Sequence, residues 1–505
     1  MSSISVTGNN LFSASYAQTL SRLKATLDSL STQLATGQKA TDYAGLGSDR
    51  STVLSVQDQL NALTGYGQNI STVQLRLNAM QTAIGGLNQV VSDMKAGPLD
   101  PSNFQLVGNQ TVAQGTASTE LASAVSMLNT DVAGHYMFGG REVSSPPVVS
   151  SDVMMNGSGG LAGFQQVVDE RKAADLGTGG NGRLTVSQPD PDSVEIAADG
   201  SPFGFKIAAG AASTSIAGAT VTVNPAAPSS ASVALTQQPQ AGDTVRLTLS
   251  MPDGTTTDVT LTAVAAGTTP AAGQFAIGSS VSDTAANLAG ALGQSIQTAA
   301  STDLVPASAM AAAHDFFESD PPQRVDIPAG GTAADATALR DGSADTVDWY
   351  QGEDDGSSPR ATQSARIDSS LTVGYGARAD EAGPRSIIEG LAVMSAVTFG
   401  DAGDDGATRY QSLVNRVSTA LTGTNDLGPL GQLSTDLSAV QQTVSDTQSR
   451  QSTSQNMLQG ILSSAEGADT NDVATSLLSA QTQLQASYQA TAMLSKLSLV
   501  NYLGS

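Results

Sequence analysis

Residues 477–505 read LLSAQTQLQASYQATAMLSKLSLVNYLGS. Leu, Ala, Ser and Gln dominate, Pro is absent, and the sole glycine is Gly504, so propensity alone points to a helix. From Asn471 onward the segment holds one Asp and one Lys. On a helical wheel Val473, Leu477, Leu484, Tyr488 and Leu494 share one face, while Met493, Leu497 and Val500 fall on the opposite side. The last two turns are therefore apolar nearly all round. Each large apolar side chain left in water forgoes roughly 1.5–3 kcal/mol of burial. One partner helix cannot cover such a surface, but many identical copies can. The helix is expected to start near Asp472, with Asn471 or Thr470 as its N-cap.

The opposite end of the chain repeats the pattern. Tyr16, Leu20, Leu23, Leu27, Leu30 and Leu34 are spaced 4, 3, 4, 3, 4, with Arg22, Lys24 and Asp28 off the stripe. That is a coiled-coil seam. Gly37 ends it, and TGQKATDYAGLGSD reads as a turn. A second helix follows on Val56, Leu60 and Leu63. After the weak stretch TGYGQ the seam resumes at Ile70, Val73, Leu77, Met80, Ile84, Leu87, Val91 and Met94. The two prolines of AGPLDPSN end it. A third helix carries Leu121, Val125, Leu128 and Val132 and stops at Gly134. Beyond Pro384, SIIEGLAVMSAVTF is helical, and Leu433, Leu437, Val440 and Val444 restart a seam through SRQSTSQNMLQGILSSA.

Between these ends Gly, Pro, Ser, Thr and Asp punctuate short segments. In TVRLTLSMPDGTTTDVTLTAV, Val245, Leu247, Leu249 and Met251 alternate onto one face. Pro252-Asp253-Gly254 supplies the turn, and Val259, Leu261 and Ala263 alternate back, which predicts a β-hairpin. Further strands are expected near 192–198, 203–208, 218–223 and 365–375, with helices near 282–300 and 306–318. The fold class is α+β: long N- and C-terminal α-helices packed as a coiled-coil-like bundle, with an inserted β-rich outer region of one or two small domains. The expected division is a helical assembly segment over 1–145, outer β-rich domains over 146–384, and a second helical segment over 385–505 packing on the first.

Composition limits the function classes. Aromatic residues make up 4% and charged residues 13% of the 505, so the core is expected to be built of Leu, Val, Ile and Ala. The absence of cysteine excludes disulfides, thiolate metal sites and cysteine catalysis. The net charge is −24, and residues 1–100 sum to zero, with six acidic and six basic side chains. The acidic middle repels nucleic acid and anionic membranes, so neither is an expected partner. MSSISVTGNNLFSASYAQ has no basic n-region, apolar h-region or cleavage site, and no apolar run approaches the ~18 residues that span a bilayer. The chain is therefore expected to be cytoplasmic or exported without a cleaved signal peptide.

Signals for catalysis are thin. His135 and His314 are the two histidines, and neither lies in an H-E-x-x-H. The acidic runs GEDDG (Glu353 to Asp355) and GDAGDDG (Asp401 to Asp405) lack the ligand spacing of a calcium loop and read as solvated turns. ADLGTGGNGRL has clustered glycines but no Lys-Ser/Thr to bind phosphate, so it reads as a flexible loop. Trp349 is expected to cover a core. No cofactor, metal or catalytic residue is expected, and the chain is not expected to be an enzyme.

Three segments carry a family resemblance. LSRLKATLDSLSTQLATGQKATDYAGLGSDRS resembles the N-terminal signature of bacterial flagellins. LQASYQATAMLSKLSLVNYL is similar to the C-terminal helix of flagellins and of the hook–filament junction protein. GHYMFGGREVSSPPV is similar to the G-x-Y-x-F-x-G element of the hook-associated protein 3 branch, where it marks the exit into the outer domain. The resemblance implies an extracellular structural subunit of the bacterial flagellum, serving motility and leaving through the type III export channel. The junction subunit is the first expectation, filament flagellin an alternative, and a secreted adhesin-like binding module a further one. Implied partners are copies of itself, flagellin, hook-associated proteins and an export chaperone. The candidate assembly interface comprises Leu20, Leu23, Leu27, Leu30 and Leu34, then Ile70, Leu77 and Ile84. In the last helix it comprises Leu477, Leu484, Tyr488, Leu494, Leu497, Val500, Tyr502 and Leu503.

Overall fold

The computed structural model describes residues 5–423 and 428–503, with side chains described over 15–423 and 428–493. The helices in chain order are α1 (Ser5–Thr36), α2 (Arg50–Ala96), α3 (Val112–Leu128), α4 (Ser151–Asn156), α5 (Phe164–Leu176), α6 (Val281–Ala299), α7 (Val305–Ala313), α8 (Pro359–Thr362), α9 (Ala382–Ala396), α10 (Gly406–Thr422), α11 (Gly431–Glu466) and α12 (Thr470–Leu503). The longer strands are β1 (Leu184–Ser187), β2 (Ser193–Ala198), β3 (Lys206–Thr214), β4 (Ala219–Asn224), β5 (Ser230–Leu235), β6 (Thr244–Ser250), β7 (Thr256–Val264) and β8 (Gln274–Ala276). The class is α+β, with long terminal helices and a β-rich centre. Two units separate: residues 1–72, 366–372 and 442–505 in one, 73–365 and 373–441 in the other.

The predicted seam on α2 is buried throughout. Ile70, Val73, Leu77, Met80, Ile84, Leu87, Val91 and Met94 are each 8% exposed or less. The helix also runs unbroken through TGYGQ. Gly65 and Gly67 have open space around them, so they mark no close approach. Each costs the helix about 1 kcal/mol relative to Ala, which the flanking seams outweigh. Helix α3 stops earlier than its spacing suggests. Val132 is not helical; Asp131–Val132 pairs with His135–Tyr136. Ala133 and Gly134 both have positive φ, as a two-residue type I′ hairpin requires. The Asn129 amide fixes the exit by donating to the Val148 carbonyl at 2.7 Å and accepting from its N–H at 3.0 Å.

The β-rich region forms two four-stranded sheets around one core. One has the order β1-β2-β5-β4, all antiparallel; the other runs β8-β7-β6-β3 and is antiparallel except for β7-β8. The expected hairpin is β6-β7, with Val245 opposite Leu261 and Leu247 opposite Val259. Ile196 and Val233 from the first sheet, Leu247, Leu261 and Phe275 from the second, and Leu288, Leu292 and Ile296 from α6 enclose one apolar core. Arg416 on α10 clasps Asp253 in the hairpin turn at 2.7 Å. Near 365–375 there are two three-residue strands, Ser364–Arg366 and Thr372–Gly374. The expected helix near 306–318 is α7 followed by a π-helical turn, His314–Glu318.

Around α9 the second unit is more aromatic and more ionic than composition suggests. Phe164, Phe316, Phe317, Trp349 and Tyr350 form a chain of ring contacts, and the Trp349 indole N–H donates to the Phe317 carbonyl at 3.2 Å. A second cluster joins Phe104, Phe399 and Tyr410. The core is thus not purely aliphatic: few aromatics suffice because they are gathered. Arg171 is buried between Asp175 at 3.0 Å and Asp315 at 2.5 Å. The Asp175 carboxylate also accepts from the Gly204 N–H at 2.8 Å. The ADLGTGGNGRL segment is a packed turn, since a Cβ at Gly182 would meet the Phe205 ring at 2.3 Å.

Candidate assembly interface

Helices α1 and α12 pair antiparallel within the first unit. At one end the Tyr16 hydroxyl donates to the Ser487 carbonyl at 2.6 Å. At the other, the Ala468 N–H donates to the Gly37 carbonyl at 2.9 Å and the Lys39 N–H to the Glu466 carbonyl at 2.7 Å. Gly37 has φ +69°, the left-handed stop expected after a helix. This register sets Leu20, Leu23, Leu27 and Leu30 level with Leu484, Ala480, Leu477 and Val473, so the two stripes share one spacing. The N-cap of α12 is Asp469, not Asn471 or Thr470. Its carboxylate accepts from the N–H groups of Asn471 at 2.9 Å and Asp472 at 3.2 Å.

Burial separates this pair from the rest of the molecule. Residues 15–36 include no buried side chain; Tyr16, Leu20, Leu23, Leu27 and Leu30 are half-buried, and Leu34 is 40% exposed. On α12, Val473 and Ala480 are buried and Leu477 and Leu484 half-buried, whereas Leu478 is 64% and Met493 66% exposed. Tyr488 lies outside the paired stripe and is exposed; the backbone of Ser487 occupies the level opposite Tyr16. The same unit exposes Leu54 on α2 and Met457 and Ile461 on α11. The seam from Ile70 to Met94 has the same spacing and is sealed. The difference is in covering: among the described residues α1 packs along α12 and buries none of its side chains, and a heptad stripe so paired keeps its flanks wet. Ile70, Leu77 and Ile84 are sealed within the single chain. The side chains of Leu494, Leu497, Val500, Tyr502 and Leu503 lie outside the described residues.

GHYMFGGRE is a stitched crossing in the second unit. Met137 and Phe138 are buried. The Phe138 carbonyl accepts from the Ala379 N–H at 2.9 Å, and the Gly139 carbonyl accepts from the Glu353 N–H at 3.1 Å. Gly139 also bridges antiparallel to Arg378. Arg141 pairs with Glu353 and, at 3.0 Å, with Asp355. Acidic residues of GEDDG thus hold this crossing. A Cβ on Gly139 would lie 2.1 Å from the Glu142 carbonyl oxygen. Gly139→Ala is therefore expected to destabilise the second unit by about 1–3 kcal/mol, measured by denaturant unfolding. An unchanged midpoint would mean that the turn opens freely.

The remaining chemical candidates are dispersed. His135 is exposed, paired with Val132 beside the two-residue turn. The Nδ1 of His314 lies 3.0 Å from Glu318. Asp401 pairs with the buried Arg409 at 2.6 Å. Among the described residues no three His, Asp or Glu side chains converge as metal ligands do, and no helix is long and apolar enough to cross a membrane. Sequence reasoning missed the Arg171–Asp315 pair, since partners 144 residues apart leave no local pattern; the Arg409–Asp401 pair, eight residues apart, lies in a stretch it read as a solvated turn.

Residues 423–503 match the family described as the bacterial flagellin C-terminal helical region. The matched span takes in α11 and α12. No curated protein matches the chain.

Proposed function

We propose that this chain, whose residues 423–503 match the bacterial flagellin C-terminal helical region, is a structural, self-assembling subunit of the extracellular flagellum, and within it the hook–filament junction subunit, of the hook-associated protein 3 type. The observation that carries this reading is the GHYMFGGRE segment, which lies just beyond α3 and is fastened by Glu353, Ala377 and Ala379. The half-buried stripes of α1 and α12 support the assembly role: Leu20, Leu23, Leu27, Leu30, Leu34, Leu477 and Leu484 meet neighbouring subunits along their wet flanks. Tyr488, Leu494, Leu497, Val500, Tyr502 and Leu503 extend that contact. Segments 1–145 and 385–505 serve assembly, and 146–384 faces outward. Export proceeds through the flagellar type III channel, with a chaperone guarding the terminal helices. Flagellin and other hook-associated proteins are its neighbours.

Filament flagellin is the second reading, favoured by the match over 423–503 itself. Immunogold labelling of isolated flagella with an antibody against the β1–β8 region tests both. One band where hook meets filament is expected. Gold along the whole length would make the chain a filament subunit. Protein found in the medium alone, with bare flagella, would favour a secreted binding module.

A further inference from the structure

Glu389 is a carboxyl in the middle of α9. Every residue from Ile387 to Ala396 on that helix is buried. About a tenth of the Glu389 side chain is exposed, and its Oε1 has no hydrogen-bond partner. A carboxylate in such a place is costly unless paired, so it keeps its proton or finds a cation. The Nε of Arg385, one turn earlier, lies 3.3 Å from Oε1. The same guanidinium reaches Glu318 on the π-helical turn at 3.7 Å and donates to the Asp380 carbonyl at 3.2 Å. One cation thus serves two carboxyl groups. The second oxygen of Glu318 lies 3.0 Å from the Nδ1 of His314, whose side chain is mostly exposed.

The charged groups facing Glu389 are therefore Arg385 on its own helix and Glu318 on the turn, with His314 behind Glu318. Among the described residues, helices α3, α5, α7 and α10, which also pack on α9, add no charged group that acts on it. Burial pushes the Glu389 carboxyl up to about 8, the neighbouring Glu318 adds to the rise, and Arg385 opposes it.

We propose that Glu389 and Glu318 share one proton, that this shared proton latches the π-helical turn His314–Glu318 onto α9, and that the latch opens at alkaline pH. At neutral pH the Glu389 O–H donates to the Glu318 carboxylate. When hydroxide removes that proton as water, two carboxylates face one guanidinium. Glu389 is locked inside α9, so the turn carrying Glu318 is the part free to move. Phe317 sits beside Glu318, and its carbonyl holds the indole of the single tryptophan, Trp349. Opening of the turn is therefore reported by Trp349.

The test uses the full chain, with Trp349 emission followed from about pH 6 to pH 10. A step with its midpoint near pH 8 is expected. Glu389→Gln, which mimics the protonated carboxyl, should abolish it while leaving helix content unchanged. Amide exchange in the unaltered chain supplies a second measurement. The Ser319 N–H, bonded to the His314 carbonyl at 3.1 Å, should lose about tenfold protection between pH 7 and pH 9 beyond intrinsic base catalysis. A step that persists at the same midpoint in Glu389→Gln overturns the latch, as does unchanged Ser319 protection. Should the variant fail to fold, the exchange result decides alone.

Discussion

Removal of residues 494–505 is expected to abolish incorporation into the flagellum and to leave the β1–β8 core folded. The deleted stretch contains Leu494, Leu497, Leu499, Val500, Tyr502 and Leu503. If three of these side chains are buried by neighbouring subunits, at roughly 1.5–3 kcal/mol each, their loss weakens association by ~5 kcal/mol or more. That is over a thousandfold in affinity per contact, since about 1.4 kcal/mol is tenfold. Electron microscopy of flagella from cells making only the truncated chain reads the assembly. Limited proteolysis of the purified protein reads the fold of the sheets. Normal assembly by the truncated chain would remove the last helix from the interface. Collapse of the sheets would show instead that the deletion acts through folding.

Arg171→Met should cost the second unit about 3–5 kcal/mol of stability, the usual penalty for stranding buried charge. The substitution keeps an unbranched apolar stem but removes the cation between Asp175 and Asp315. Asp175 is wholly buried and would keep its hydrogen bond from the Gly204 N–H. Burial already raises the Asp315 carboxyl above its ordinary value, with Arg171 opposing the rise. Without Arg171 that acid should take up a proton more readily, so the loss should be smaller at low pH than at neutral pH. Denaturant midpoints at two pH values check both statements. A loss below about 1 kcal/mol at neutral pH would mean that water or another cation reaches the pair.

The long helices were legible because their signal is local and repeated. Eight seam positions from Ile70 to Met94 can be counted without knowing what they touch, and all eight are buried. The β6-β7 hairpin was legible for the same reason: alternation, a Pro-Asp-Gly turn and alternation again. Strand β5 was not, because SASVAL alternates serine with small apolar residues whose face becomes visible only when β2 and β4 flank it. Helices α5 and α10 were missed because Arg171 and Arg409 are buried there, and a charged residue on a core face breaks the apolar stripe that announces a helix. The stop of α3 before Val132 rests on the Asn129–Val148 amide pairing, a contact between segments. At the interface the stripes could be read but not their register. Tyr488 shares a wheel face with Leu484 on paper, yet the pairing of Tyr16 with the Ser487 backbone leaves it outside.

The wet flanks of α1 have a thermodynamic corollary. A helix pair that leaves part of its seam to neighbouring molecules carries part of its folding free energy in them, so its stability follows mass action. Diluting the subunit should melt α1 and α12 at a temperature that falls with concentration, while the sheets, closed on their own core, melt at a fixed one. For a building block of this kind, the ordered form of the terminal helices belongs to the polymer as much as to the chain. A cell that holds a pool of free subunits must keep those helices either scarce or occupied.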